Sequence, residues 1–179
     1  MHVDKNHRLL GSQWKPSEHF DDRPKDSVIE LVVVHSISLP EGQFGTGFPE
    51  LLFTGNLDLE ADSSFSDLEG IKVAPHLFID RLGTTTQLVS FDKRAWHAGV
   101  SSWRNRPNCN NYSIGLELEG SDNTSYENRQ YESLREVLSA LFLAYDRLSL
   151  DSVVGHCEIS PARKTDPGQY FDWTKVYNR

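Results

Sequence analysis

The chain has 179 residues, a formal charge of -8 and a pI near 5.3, a length at which one hydrophobic core can fold as one domain without disulfides. An apolar fraction of 37%, with 11% aromatic and 25% charged residues, excludes wholesale disorder. The acidic balance repels polyanions and argues against nucleic acid or an anionic membrane as partner, and no stretch approaches the roughly 20 apolar residues of a membrane helix.

Residues 1–20 are polar, with scattered His, Lys and Trp. They lack the apolar run and small-residue cleavage site of an export signal, so the expected location is the cytosol. His2, His7 and His19 read as surface residues. Cys109 and Cys157 lie far apart in sequence and are expected to be separate thiols rather than a staple.

The nearly continuous β-branched run from Val28 to Val34 predicts a strand buried on both faces, ending at His35. Pro40 to Gly70, rich in Gly, Ser and Asp, predicts a long functional loop with a short helix around Pro49 to Phe53. His76–Ile79 and Thr84–Val89 flank Asp80-Arg81-Leu82-Gly83 and predict a hairpin closed by the glycine, with His76 a sheet residue. Ser113–Glu119 alternates with period two, so Ile114, Leu116 and Leu118 face one way, and Glu117 and Glu119 the other.

From Asn128 to Leu148 the apolar residues Tyr131, Leu134, Leu138, Leu141, Phe142 and Tyr145 recur at helical spacing, predicting an amphipathic helix over the sheet. Ser152–Gly155 predicts a short strand that delivers His156 at its end. A loop pinned by Pro161 and Pro167-Gly168 follows, and the tail from Asp172 to Tyr177 predicts a last helical turn.

His35 and His156 each close a hydrophobic strand and enter a loop, so both can reach one rim of a sheet. Catalytic zinc takes three protein ligands from His, Asp, Glu or Cys and leaves a fourth position for water. A strand-end histidine alone is more often a satisfied rim residue than a ligand. What sharpens this pair is the segment from Gly155 to Gly168, which compresses His156, Lys164 and Asp166 into a loop that prolines pin at low entropic cost.

Four ordered motifs carry a family resemblance: His35 after its Val run, Phe91-Asp92-Lys93-Arg94-Ala95-Trp96-His97-Ala98-Gly99, Ser113-Ile114-Gly115-Leu116-Glu117, and Gly155-His156 leading to Lys164-Thr165-Asp166-Pro167-Gly168. Together they resemble the N-acetylmuramoyl-L-alanine amidases of the peptidoglycan-recognition type, most of all the cytosolic anhydro-muramoyl-peptide amidases of the AmpD type. The resemblance covers essentially the whole chain. It implies an α/β fold with a central mixed β-sheet flanked by helices, and zinc held by His35, His156 and Asp166. Some phage and animal relatives carry cysteine where this chain has Asp166.

The resemblance further implies that Glu117 and Lys164 do the acid-base and electrostatic work and that the Trp96-His97-Ala98-Gly99 loop lines a substrate groove. Amide hydrolysis needs a nucleophile, a sink for oxyanion charge and a proton for the leaving amine, and zinc, a carboxylate and an ammonium supply these. Patterning alone leaves Glu117 and Glu119 equivalent, and leaves Lys164 open as a solvated loop charge. His97 is assigned to the groove because a fourth ligand would close the metal site, and Trp96 is read as a platform, with a core tryptophan as the competing role.

The implied substrate is a soluble muropeptide met during peptidoglycan recycling, bound by a monomer with no nucleic-acid or membrane partner. Stem-peptide carboxylates call for basic residues, with Lys72, Arg94, Arg104 and Arg106 as candidates. Asn108 stands at a substrate-binding position where the nearest relatives tend to carry a basic residue. Two other readings remain at this level: a catalytically silent muropeptide-binding module, and a zinc amidase acting on intact peptidoglycan.

Overall fold

The computed structural model describes residues 1–177. Six strands form the central sheet, in the spatial order Val153–Gly155, Leu31–Ile37, Ser113–Glu119, Leu77–Ile79, Thr85–Gln87 and Gln13–Trp14. The first four run parallel; Leu77–Ile79 and Thr85–Gln87 pair antiparallel as the predicted hairpin, and Gln13–Trp14 adds a parallel edge. The sheet is therefore mixed.

The β-branched run reads longer than its ladder. Val28 is 52% exposed and the strand starts only at Leu31, then continues two residues past His35 to Ile37. Along Ser113–Glu119 every residue is buried, because both faces are covered. Ile114, Leu116 and Leu118 pack with Val32 and Val34 beneath the helix Asn128–Ala144, through Tyr131, Leu134, Val137, Leu138 and Leu141. The opposite face packs Leu31 and Val33 against Ala98, Cys109, Tyr112, Val154 and Ile159.

The long helix begins at a capping box in which Glu127 N–H donates to Gln130 Oε1 at 3.0 Å. It stops four residues before the predicted end, because Tyr145 takes an extended conformation (φ -131°) and its hydroxyl meets His7 Nδ1 at 2.8 Å. Leu148 is buried beyond that break, so the apolar rhythm outlasts the helical backbone. The short helix Phe48–Phe53, with its early proline, and the terminal turn Thr174–Tyr177 match their predictions.

Two histidines differ from their surface reading. His19 is buried, stacked on Trp96 with ring centroids 6.4 Å apart, and its Nδ1 lies 3.0 Å from Val73 O. His7 is half-buried against Tyr145. The N-terminal segment thus packs onto the walls of the fold through strands of two or three residues, such as Phe20–Asp22 against Lys93–Ala95. Both cysteines are free, with Cys109 buried and Cys157 half-buried.

The hairpin turn depends on Gly83, whose φ is 83° and where an added Cβ would sit 2.8 Å from Arg129 O on the long helix. Gly83→Ala is expected to destabilise the fold by about 1–3 kcal/mol through the strained backbone and this clash, read as a lower unfolding midpoint. An unchanged midpoint would contradict the described turn.

Candidate metal centre

The sheet brings the predicted donors to one place through register. His35 lies beside Glu117 in the parallel ladder, and both point to the face away from the long helix. Val153–Gly155 pairs with Val32–Val34 and stops one residue short of His35. There the chain turns into the single helical turn His156–Ile159, which sets His156 beside His35. The following loop returns Asp166 to the same point, anchored by Cys157 N–H donating to Asp166 O at 3.0 Å.

Three donor atoms converge. His35 Nδ1 and His156 Nδ1 are 2.9 Å apart, and Asp166 Oδ2 lies 3.2 Å from the first and 3.0 Å from the second. Two imidazole lone pairs and a carboxylate oxygen in such a triangle suit one divalent ion at bond lengths of about 2.0–2.2 Å. Among the described residues this is the one group of three such side chains able to share an ion.

Protonation favours the same use. Burial, opposed by the Asp166 carboxylate, lowers the His35 pKa to about 4, so its ring is neutral at physiological pH. Burial pushes Asp166 upward, but the adjacent His156 and His35 rings outweigh it and hold the carboxyl well below the usual range. The outer ring nitrogens are also engaged: His35 Nε2 lies 2.9 Å from His97 Nδ1, and His156 Nε2 3.1 Å from Ala98 O.

Glu117 and Glu119, equivalent in the alternation, part ways here. Glu119 accepts backbone N–H bonds from Gly45 at 2.6 Å and Arg81 at 3.1 Å, tying the long loop to the hairpin. Glu117 makes no such bond among the described residues and instead lines a cavity of about 220 Å³ with His35, His156 and Asp166. Burial raises its pKa well above the carboxylate range, the nearby Asp166 adds to the rise, and Lys164 opposes it. Lys164 is exposed, yet it lines this cavity and an adjoining one of about 390 Å³. The two share Ser36, Ile37, Lys164 and Asp166 and so adjoin.

The remaining predicted residues lie at varied distances from the donors. His97 lines the cavity beside His35, and burial together with the neighbouring imidazoles holds its pKa well below the usual value. Trp96 stacks on His19 and is not among the cavity-lining residues. Lys72 is exposed next to cavity-lining Val73, and Asn108 is exposed in a left-handed conformation with φ 61°. Arg94 is paired with Asp21, Arg106 with Glu30, and Arg104 lies over the Trp103 ring.

Several site residues carried no sequence signal. Arg163, whose Nη2 donates to Ala98 O at 2.7 Å, lines the adjoining cavity from the same loop as Lys164. Arg23 is half-buried and donates to the carbonyls of Asn110 at 3.0 Å and Ser113 at 2.8 Å. Phe53 closes the apolar side of the cavity from the long loop, and only a composition-level hint of a functional loop foreshadowed it.

The sequence profile described as N-acetylmuramoyl-L-alanine amidase matches residues 25–169. The 1,6-anhydro-N-acetylmuramyl-L-alanine amidase AmpD of Escherichia coli (strain K12) is 47% identical over 93% of this chain and 91% of its own. The enzyme of the same description from Haemophilus influenzae is 46% identical over 89% and 86%. A crystal structure of a selenomethionine AmpD derivative superposes with a TM-score of 0.95 at 45% identity, covering 99% of this chain and 98% of that one. With the donor triangle, the mixed sheet and these likenesses together, the chain belongs to the N-acetylmuramoyl-L-alanine amidase family and is an amidase.

Proposed function

We propose that this chain is a zinc-dependent amidase that hydrolyses the bond between the lactyl group of anhydro-N-acetylmuramic acid and L-alanine in muropeptides, during peptidoglycan recycling in the cytosol. The observation that carries the reading is the convergence of His35 Nδ1, His156 Nδ1 and Asp166 Oδ2 at 2.9–3.2 Å beside a buried Glu117 that makes no side-chain hydrogen bond among the described residues. The high identity to enzymes described as acting on the 1,6-anhydro compound supports the substrate. The resemblance to cytosolic amidases supports the location, and among the described residues no helix is long and apolar enough to cross a membrane. We take the protein to act as a monomer, since the three donors that one chain supplies complete the triangle without a second copy.

In this reading His35, His156 and Asp166 hold zinc, which when bound lowers the pKa of water to about 7 and polarises the scissile carbonyl. Glu117, which lines the cavity and whose carboxylate the nearby cation would favour against burial, takes the proton of the attacking water and passes it to the departing nitrogen. The C–N bond breaks, leaving a carboxyl group on the lactyl side and a free amine on the peptide. The Lys164 ammonium at the cavity rim offsets the charge that develops on the carbonyl oxygen. Trp96, His97, Lys72 and Asn108 are the proposed contacts to the rest of the muropeptide.

Product analysis tests this. Anhydro-muropeptide incubated with the zinc-loaded protein is expected to release a free L-alanyl peptide and anhydro-N-acetylmuramic acid, and a chelator to stop that release. Release undiminished by chelation would refute the zinc role, and preference for intact sacculi would refute the recycling substrate.

A further inference from the structure

Two consecutive residues meet the outer nitrogens of both histidines at the candidate metal centre. His97 Nδ1 lies 2.9 Å from His35 Nε2, and the Ala98 carbonyl 3.1 Å from His156 Nε2. A neutral imidazole offers a lone pair on one ring nitrogen only while the other carries the proton. An acceptor at the outer nitrogen therefore decides which nitrogen faces an ion.

His97 is itself held in place. Its Nε2 is 3.1 Å from Ser113 Oγ, and its ring lies on Gly115, where an added Cβ would come within 2.4 Å of His97 Cγ. The two backbone N–H groups of the pair donate to one side-chain oxygen, Asn110 Oδ1, at 3.3 Å from His97 and 2.8 Å from Ala98. With Nε2–H of His97 donating to Ser113, its Nδ1 is left as an acceptor for the Nε2–H of His35.

We propose that His97-Ala98 is a positioning clamp for the metal ligands. His97 fixes His35 and the Ala98 carbonyl fixes His156, so that both Nδ1 atoms face the ion, while Asn110 sets the clamp's position. This rests on the reading of His35, His156 and Asp166 as the zinc ligands. It makes His97 a positioning residue acting through His35, and it accounts for glycine at position 115 of an otherwise bulky strand.

The test compares His97→Leu with His97→Asn, which have similar shape but differ in that the asparagine oxygen replaces the lost Nδ1 acceptor. Zinc affinity is read by competition with a chromophoric chelator, alongside the unfolding midpoint of each metal-free variant. His97→Leu is expected to bind zinc about 10–100-fold more weakly than the wild type, and His97→Asn to recover most of that loss. Equal affinity of the two variants would overturn the clamp. Imidazole 15N spectra of the zinc-loaded wild type give a check that needs no variant: both histidines are expected to be protonated at Nε2, and metallation at Nε2 of either would overturn it. A wild type that binds no zinc, or an Asp166→Ala variant that binds it as tightly, would refute the metal site and the clamp with it. Normal wild-type binding with Leu and Asn alike sinks the clamp alone.

Discussion

Replacing Glu117 with glutamine is expected to leave zinc bound, to lower turnover of anhydro-muropeptide by about 10²–10⁴-fold, and to make the metal-free protein more stable at neutral pH. The opposite signs of the last two effects have one cause. Burial disfavours the Glu117 carboxylate, with Asp166 adding to the effect, so its folded pKa lies well above the ordinary 4.5. Between 4.5 and that raised value the folded chain binds a proton that the unfolded chain has released, so stability falls as pH rises through this window. Glutamine does not titrate and removes the decline. A gain of about 0.5–2 kcal/mol, or a few degrees in unfolding midpoint at pH 7, is expected in chelated protein, shrinking below pH 4.5. Activity near that of the wild type in Glu117→Gln would exclude Glu117 as the proton carrier.

The second large effect is expected at Asp166. Asp166→Ala removes the one anionic donor of the triangle and leaves only the two imidazoles, so stoichiometric zinc and turnover should be lost together. Stability separates this from simple misfolding. In the wild type, zinc at about 100 times its dissociation constant adds about 2.7 kcal/mol to the folded state, an increment that chelation removes. Asp166→Ala should unfold at the same midpoint with and without zinc. A zinc-dependent midpoint in that variant would show that the ion is held elsewhere.

Much of this site was legible because strand patterning and register act together. The period-two alternation of Ser113–Glu119 and the Val run before His35 predicted buried strands, and the parallel pairing of Glu117 with His35 is what those strands produce. The choice between Glu117 and Glu119 was not legible, since it depends on where the long loop and the hairpin turn donate their N–H groups. Patterning misses such nonlocal contacts.

The ends of elements were the other gap. The strand starts at Leu31 rather than Val28 because its first ladder partner on the adjacent strand is Ser113, and the helix ends at Ala144 because Tyr145 turns to His7. His19 read as a surface residue because the strands that bury it, two or three residues each, are too short to show a period. Likewise Arg94 and Arg106, basic residues near the motifs, are committed to Asp21 and Glu30, partners distant in sequence.

The central claim is that one divalent ion sits among His35 Nδ1, His156 Nδ1 and Asp166 Oδ2, and anomalous X-ray scattering at the zinc edge from crystals of the zinc-loaded protein tests it most directly. A single strong peak about 2.0–2.2 Å from all three atoms is the expected result. A zinc peak bonded to other side chains, with none at that triangle, would contradict it.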